Sequence, residues 1–347
     1  MTSTTVAEAR RAPLRPRSAR LVAGLVVSLV ALTVALLASV AIGSALLPLD
    51  VVLRAFTDPD GSATHMTVTV ARVNRTMLGL LVGTALGVAG GLMQALTRNP
   101  LAEPGILGVN AGAGFAIALG VTLLGATRID QYLPLAFAGA VAAAVLVYAT
   151  AGGARGTNSP LRLTLVGVAL GAVLTGLSRT LALIDPQTFD RMRFWGAGTI
   201  ADRPEGTVAA IAPAIAMGLV VAALCARPLN AIALGDDTAR AVGIRLGLTR
   251  AGVMIAVTLL CGAATAAAGP LVFVGLMMPH AVRWLTGPDW PWILAYSAVL
   301  SPALLLAADI VGRLIVIPAE LQVGVVMPLI GAPVLVMLVR GRRARAL

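Results

Sequence analysis

Two runs without a single charged residue constrain this chain more than anything else in it. Leu21 to Leu49 covers 29 residues and Ala251 to Val282 covers 32. A helix needs about 20 apolar residues to cross the hydrocarbon of a bilayer, so each run is long enough to span one. The rest of the chain has the same character. Residues of the AVILMFWYC set make up 58%, charged residues only 12%, and the mean hydropathy is +0.92. A typical soluble domain carries about 25% charged residues. A soluble globular fold, a disordered chain and a disulfide scaffold are excluded on these grounds. The two cysteines, Cys225 and Cys261, lie in or beside apolar stretches and imply no disulfide framework. Aromatics are only 4%, so the apolar mass is Ala, Val and Leu with Gly, which suits close helix packing in lipid. The expected fold is all-α, a polytopic membrane protein.

The first run follows Arg10, Arg11, Arg15, Arg17 and Arg20. A secretory signal also starts with basic residues, but its apolar stretch is about 7–15 residues long, so this run is a membrane helix. Further spans are expected over 76–97, 104–124, 131–151, 163–184, 206–226, 290–316 and 321–339. The 32-residue run exceeds one ordinary span. Gly269-Pro270 lies inside it, and proline both breaks the helical ladder and disfavours helix in the residue before it. Split there, the chain has ten spans. Ten places both termini on one side, and both are rich in arginine, with Arg340, Arg342, Arg343 and Arg345 at the end. By the positive-inside rule both ends face the cytoplasm of a multi-pass protein of the cell membrane. The cytoplasmic segments then hold 17 of the 26 arginines and the external ones 7, with Arg179 and Arg313 inside spans. Residues 1–20 and 340–347 are read as basic cytoplasmic tails around one transmembrane domain, 21–339. The net charge of +11 therefore reports topology rather than a nucleic-acid partner.

The longest polar segments are 49–75, 185–205 and 227–250, too short for an appended soluble domain, and no GxxxxGK[ST] phosphate loop occurs. A transporter of this kind that used ATP would need a separate subunit to bind it. Within the second span, Gly79, Gly83, Gly87 and Gly91 recur every four residues. Such a stripe either seats a neighbouring helix closely or lines a pathway. After it comes Arg98-Asn99-Pro100-Leu101-Ala102-Glu103-Pro104-Gly105-Ile106-Leu107-Gly108. So much proline and glycine beside a membrane boundary implies irregular backbone that must be buried or line a cavity, since lipid satisfies no backbone polar group.

With Gln94 upstream and Gly112-Ala113 downstream, this segment resembles the signature of the FecCD-type permeases, the BtuC-like membrane subunits of ABC importers for ferric siderophores, haem and cobalamin. Other pieces resemble the family in order. They are Arg72-Val73-Asn74-Arg75, Gly167 to Leu170, Trp195-Gly196-Ala197-Gly198, the run Leu234 to Gly243, Gly269-Pro270-Leu271-Val272-Phe273-Val274-Gly275-Leu276 with Pro279-His280 and Arg283, Ala308-Asp309 with Arg313, and Gly331-Ala332-Pro333. Asn74 and Gln322 stand where the family usually has proline, and Asp289-Trp290-Pro291-Trp292 replaces a more polar stretch.

The resemblance implies a type II ABC importer architecture. Two permease subunits, the same or different, would surround one pathway, with two ATPase subunits inside and a substrate-binding protein outside. It implies no enzymatic activity, no cofactor and no metal bound by the permease itself. The cargo it implies is an iron chelate, a ferric siderophore first among them, with haem or cobalamin as alternatives. It assigns coupling to the ATPase to Gly235, Asp236, Asp237, Ala239, Arg240, Ala241 and Gly243. Acidic and threonine residues there also suit the start of a short helix, with glycine at its end. Docking of the binding protein falls to Arg72, Arg75 and Arg313, where guanidinium forks would meet carboxylates. The pathway and its packing fall to Gly79, Gly83, Gly87, Gly91, Gln94, Asn99, Pro100, Gly269, Pro270, Pro279 and His280, with the fifth, eighth and tenth spans as further lining.

Asp309 and Arg313 lie four residues apart on one helix face and are expected to pair, because a lone charge in the membrane costs at least ~2.5 kcal/mol. An ion-coupled secondary carrier is the alternative in the transporter class. It fits poorly, because intramembrane acids are few. A membrane-embedded enzyme would need clustered ligands or paired carboxylates, yet His65 and His280 fall in different surroundings and no HExxH spacing occurs.

Overall fold

The computed structural model describes residues 17–45, 47–126, 128–152 and 160–343. Among these, every regular element is helical. In chain order they are α1 (Arg17–Ala41), α2 (Leu49–Thr57), α3 (Ala63–Met66), a π-helical turn (Thr67–Arg72), α4 (Val73–Thr97), a 3-10 turn (Pro104–Leu107), α5 (Val109–Leu124), α6 (Ile129–Thr150) and α7 (Pro160–Ile184). Then follow α8 (Pro186–Gly196), α9 (Thr207–Ala233), α10 (Asp236–Ala241), α11 (Leu246–Ala268), α12 (Val274–Thr286), α13 (Trp290–Ile315) and α14 (Val323–Arg343). Each of the ten expected spans carries a helix. Among the described residues seven helices are long and apolar enough to cross a membrane alone, and the apolar stretches Val109–Leu124 and Val323–Met337 are shorter. The tenth, α12, has only 13 residues.

Several boundaries differ from the expected ones. The second span extends back to residue 63 as one continuous 35-residue helix, because 63–71 is uncharged and Ser62 caps it, its Oγ accepting from His65 N at 3.2 Å. The sixth continues past Arg227 and Pro228 to Ala233. Helix also passes both expected tail limits, starting at Arg17 and ending at Arg343. The rest of the two tails, 1–16 and 344–347, lies outside the described residues.

Helix α4 occupies the middle of the bundle, walled by α9, α11, α12 and α13. The apolar windows of α4 and α11 are 78% buried, against 17% for α1 and α7, which separates inner helices from outer ones. Hydrophobic burial alone does not explain how an inner helix is held in lipid; close packing of small residues does. A Cβ on Gly83 would stand 2.4 Å from the Cα of Pro302 in α13, and one on Gly90 only 1.9 Å from the carbonyl oxygen of Gly275 in α12. Pro279 has no N–H to offer that carbonyl one helical turn away, so the freed oxygen is the atom against which Gly90 rests. On Gly87 a Cβ would strike Ser301 Oγ at 1.9 Å, and on Gly91 a leucine methyl of Leu294 at 2.7 Å.

Two irregular segments meet inside the bundle. The stretch 98–108 turns inward before α5, and 269–273 separates α11 from α12. Glu103 Oε1 accepts from Phe273 N at 3.3 Å, and Thr199 N donates to Ala268 O at 2.8 Å. The inward turn of proline-rich backbone is thus buried in protein, as lipid requires.

The glycine contacts give a test. Gly83→Ala and Gly90→Ala are expected to destabilise the purified protein by about 1–3 kcal/mol through overpacking. Gly176→Ala on α7, where a Cβ meets nothing within 4 Å, is expected to leave the melt unchanged. Thermal unfolding in detergent distinguishes them, and equal behaviour of all three would contradict the packing described.

Candidate functional site

Functional side chains gather at the two ends of the bundle. At one end, α9 stops, α10 projects and α11 begins. The short α10 is closed by a Schellman arrangement, with Gly243 N donating to Arg240 O at 2.9 Å and Ile244 N to Ala239 O at 2.9 Å. This geometry needs a left-handed residue after the helix, and Gly243 has φ +82. At the start, Gly235 (φ +120) is the N-cap and no side chain caps it. Asp236 and Asp237 occupy the first turn but cap no backbone N–H. Asp236 turns inward instead, its Oδ2 accepting from Arg250 Nη2 at 2.7 Å and its Oδ1 from Arg98 Nη2. Arg98 also donates from Nε to Ile232 O at 3.0 Å. Burial alone would raise the Asp236 carboxyl, but Arg250 and Arg98 hold it below the ordinary carboxylate value. A lowered value keeps the ion pair formed through the neutral range, and it weakens only as pH falls below the usual carboxylate range.

The neighbouring acid faces the other way. Asp237 is fully exposed and pairs with Arg240 three residues on, at 2.9 Å. Ala239 is buried, and Gly243 has open space around it. Of the proposed coupling residues, then, Asp237 and Arg240 face outward, while Asp236 and Ala239 fasten the helix. Ala241 is the last helical residue. Nearby, Asn230 donates to Asp289 at 2.8 Å and accepts from Trp290 N at 2.8 Å, which fixes the unusual Asp289-Trp290-Pro291-Trp292 stretch against α9.

At the other end, Asp309 is fully buried between two arginines. Arg75 meets it bidentately at 2.9 and 2.8 Å, and Arg313 Nε donates to it at 3.0 Å. Arg75 also donates to Glu320 at 2.6 Å. The expected Asp309–Arg313 pair is present, with Arg75 as its third member. The structure places two of the three arginines assigned to docking inside the protein. Arg313, 1% exposed, donates to Ser39 O and Ile42 O at 2.7 Å each. Arg72, 5% exposed, donates to Val40 O, Ala41 O and Ala45 O. Both satisfy carbonyls at the end of α1, so neither guanidinium is offered outward in this conformation. Arg75 differs. It lines an open cavity of about 900 Å³ together with Tyr132, Trp195, Arg203, Glu320 and Gln322.

The residues assigned to the pathway are mostly packing and turn residues. The α4 glycines face α12 and α13, Gly79 meeting Leu306, so the stripe seats helices and does not line an open path within this subunit. Gln94 is buried and donates to Leu276 O at 2.9 Å. Asn99 closes its turn by accepting from Leu101 N at 2.9 Å, with Pro100 following it. Gly269 (φ +78) brings the chain so close to Trp195 that a Cβ would lie 2.3 Å from its carbonyl oxygen, and the Pro270 carbonyl abuts Gly198. Pro279 and His280 are buried in α12. Among the described residues no group of three or more His, Cys, Asp or Glu is placed to hold a metal ion.

Residues 31–341 match the model of the FecCD transport family. The chain belongs to that family. This FecCD permease is 50% identical over 312 residues to the ferric enterobactin transport system permease protein FepD of Escherichia coli, covering 90% of this chain and 93% of the relative. It is 37% identical over 289 residues to the siderophore transport system permease protein YfiZ of Bacillus subtilis, covering 83% and 87%. Among solved structures, an inward-facing one assigned to the metal-chelate type of ABC transporter superposes with a TM-score of 0.79 at 23% identity, over 92% of this chain and 99% of that one. That likeness concerns the fold.

Arg98, Glu103, Asn230, Arg250 and the role of Arg75 as partner to Asp309 were not assigned from the sequence of this FecCD permease. Arg98 and Glu103 sit within the proline-rich signature itself. A charge flanking irregular backbone was the available signal. Removing Asp309 tests the buried network. Asp309→Asn leaves two enclosed guanidiniums without their carboxylate and is expected to cost about 3–5 kcal/mol, seen as lost folded yield and a lower melting temperature. Glu320→Gln, at the exposed edge, is expected to be mild. A wild-type melt for Asp309→Asn would contradict the assignment.

Proposed function

We propose that this FecCD permease is the membrane subunit of an ATP-driven importer for a ferric siderophore. The observation that carries the reading is its identity at half of all aligned positions to a ferric enterobactin permease, along nine-tenths of both chains. In the proposed assembly two permease subunits enclose the pathway, two ATPase subunits bind the α10 end, and a substrate-binding protein delivers the chelate to the Arg75 end. Both termini face the cytoplasm. The energy source lies on the ATPase, and the permease performs no chemistry on its cargo.

The mechanism of this reading is alternating access. ATP binding draws the two ATPases together, each carrying an α10 seated in a groove on it, and the helices of each permease rock about the subunit interface. Docking acts on the side that holds Asp309. Carboxylates on the binding protein would reach Arg75 through the open cavity, whereas Arg72 and Arg313 take part by holding the end of α1. Selection among chelates rests with the binding protein.

Uptake of radiolabelled ferric enterobactin tests the class. In cells lacking their own permease, this chain is expected to restore uptake only when an ATPase partner is present. Restored uptake with the ATPase deleted would end the ATP-driven reading. Two further outcomes test the assigned ends. Gly243→Val forces a β-branched residue into the left-handed region and is expected to reduce uptake without reducing membrane-inserted protein, whereas Gly243→Asn, which tolerates that region, should retain most of it. Arg75→Lys keeps the charge but loses the fork, so binding-protein affinity should fall several-fold. Unaltered affinity would remove Arg75 from the docking surface.

A further inference from the structure

We propose that Asp236 is the positioning residue that carries movement of α10 into the central helix α4, through a clamp with Arg98 and Arg250. The inference rests on the reading of α10 as the element that meets the ATPase. Asp236 is the first residue of α10 and Arg98 is the residue that ends α4, in a left-handed conformation at φ 51. One carboxylate oxygen takes Arg98 and the other takes Arg250, the fifth residue of α11. Arg98 also holds the last turn of α9 through Ile232 O. Asp236 therefore ties α10 laterally to α4 and α11, and Arg98 extends the tie to the end of α9. Gly235 and Gly243 both lie at positive φ, so the helical path breaks on either side of α10 and its backbone does not run on into α9 or α11.

The two adjacent acids divide the work. Asp237 is wholly exposed and pairs only locally with Arg240, whereas Asp236 faces the body of the protein. Beyond the clamp, α4 is suited to pass a displacement on. Gly83 and Gly90 rest directly on backbone atoms of α13 and α12, and backbone cannot repack as a side chain can. The far end of α4 carries Arg75, held by Asp309. The polar contacts thus run from α10 through Asp236, Arg98 and α4 to the opposite end of the bundle.

The test uses the assembled transporter in proteoliposomes, with its ATPase and binding protein and with ferric enterobactin as the probe. Two quantities are read, ATP hydrolysed and chelate delivered. Asp236→Asn and Arg98→Gln are expected to retain the ATPase and hydrolyse ATP while chelate delivered per ATP falls about fivefold or more. Asp236→Glu should regain most of the ratio. A purely structural role would lower yield and leave the ratio alone. The wild-type ratio in an assembled Asp236→Asn or Arg98→Gln transporter overturns the clamp. If Asp236→Asn does not assemble, Arg98→Gln decides by the same ratio. Should the wild-type permease retain no ATPase at all, the reading of α10 fails first, and that failure is distinct.

Discussion

Carbonyl groups freed at helix ends need donors, and in this permease arginine side chains supply them. Arg72 and Arg313 converge on the end of α1, supplying donors to five carbonyls between Ser39 and Ala45. Arg98 does the same at the end of α9. A guanidinium suits this role because it presents five donors in a rigid fork and stays charged. Its charge must then be balanced in the protein, which is why Asp309 lies between Arg75 and Arg313 and Asp236 between Arg98 and Arg250. Each end of the bundle is built around one carboxylate shared by two arginines.

Between these ends, the stiffness of the bundle comes from the absence of side chains. Glycines on α4 let α12 and α13 approach to backbone contact, and the carbonyl freed by Pro279 is covered by Gly90. Packing of this kind has little slack, so in the proposed mechanism α4 would move with its neighbours as a unit. That property links the two ends in the proposed mechanism. An event at α10 and an event at Arg75 both act on the same rigid body, and neither needs a chain of conformational changes through a soft core.

Much of the fold was legible in advance because the membrane imposes it locally. Ten apolar segments, their separation at Gly269-Pro270 and the arginine-rich flanks follow from the cost of placing charge and unpaired backbone in lipid, which residue identity alone reports. The short α10 was legible for the same kind of reason, since glycine at a left-handed position marks a helix end. What stayed hidden were the partners. Nothing local distinguishes a glycine stripe facing α13 from one facing a pathway. An arginine before a membrane helix likewise reads as an external contact, although Arg72 turns inward to the end of α1. Asp236 reads as a first-turn helix residue, and its role as a bridge stayed hidden because the arginines that claim it lie 138 residues before and 14 after it.

By itself, then, the chain's order of residues determined that it crosses the membrane repeatedly, where those crossings break, and which transport family it joins. These are properties of segments, set by the transfer of apolar and polar groups between water and lipid. The tertiary structure decided which charges are structural, which face of α4 is covered, and which of two adjacent aspartates is anchored. Those are properties of pairs distant in sequence, and their energies exist only once the helices have come together and excluded the solvent that would otherwise serve each group equally well.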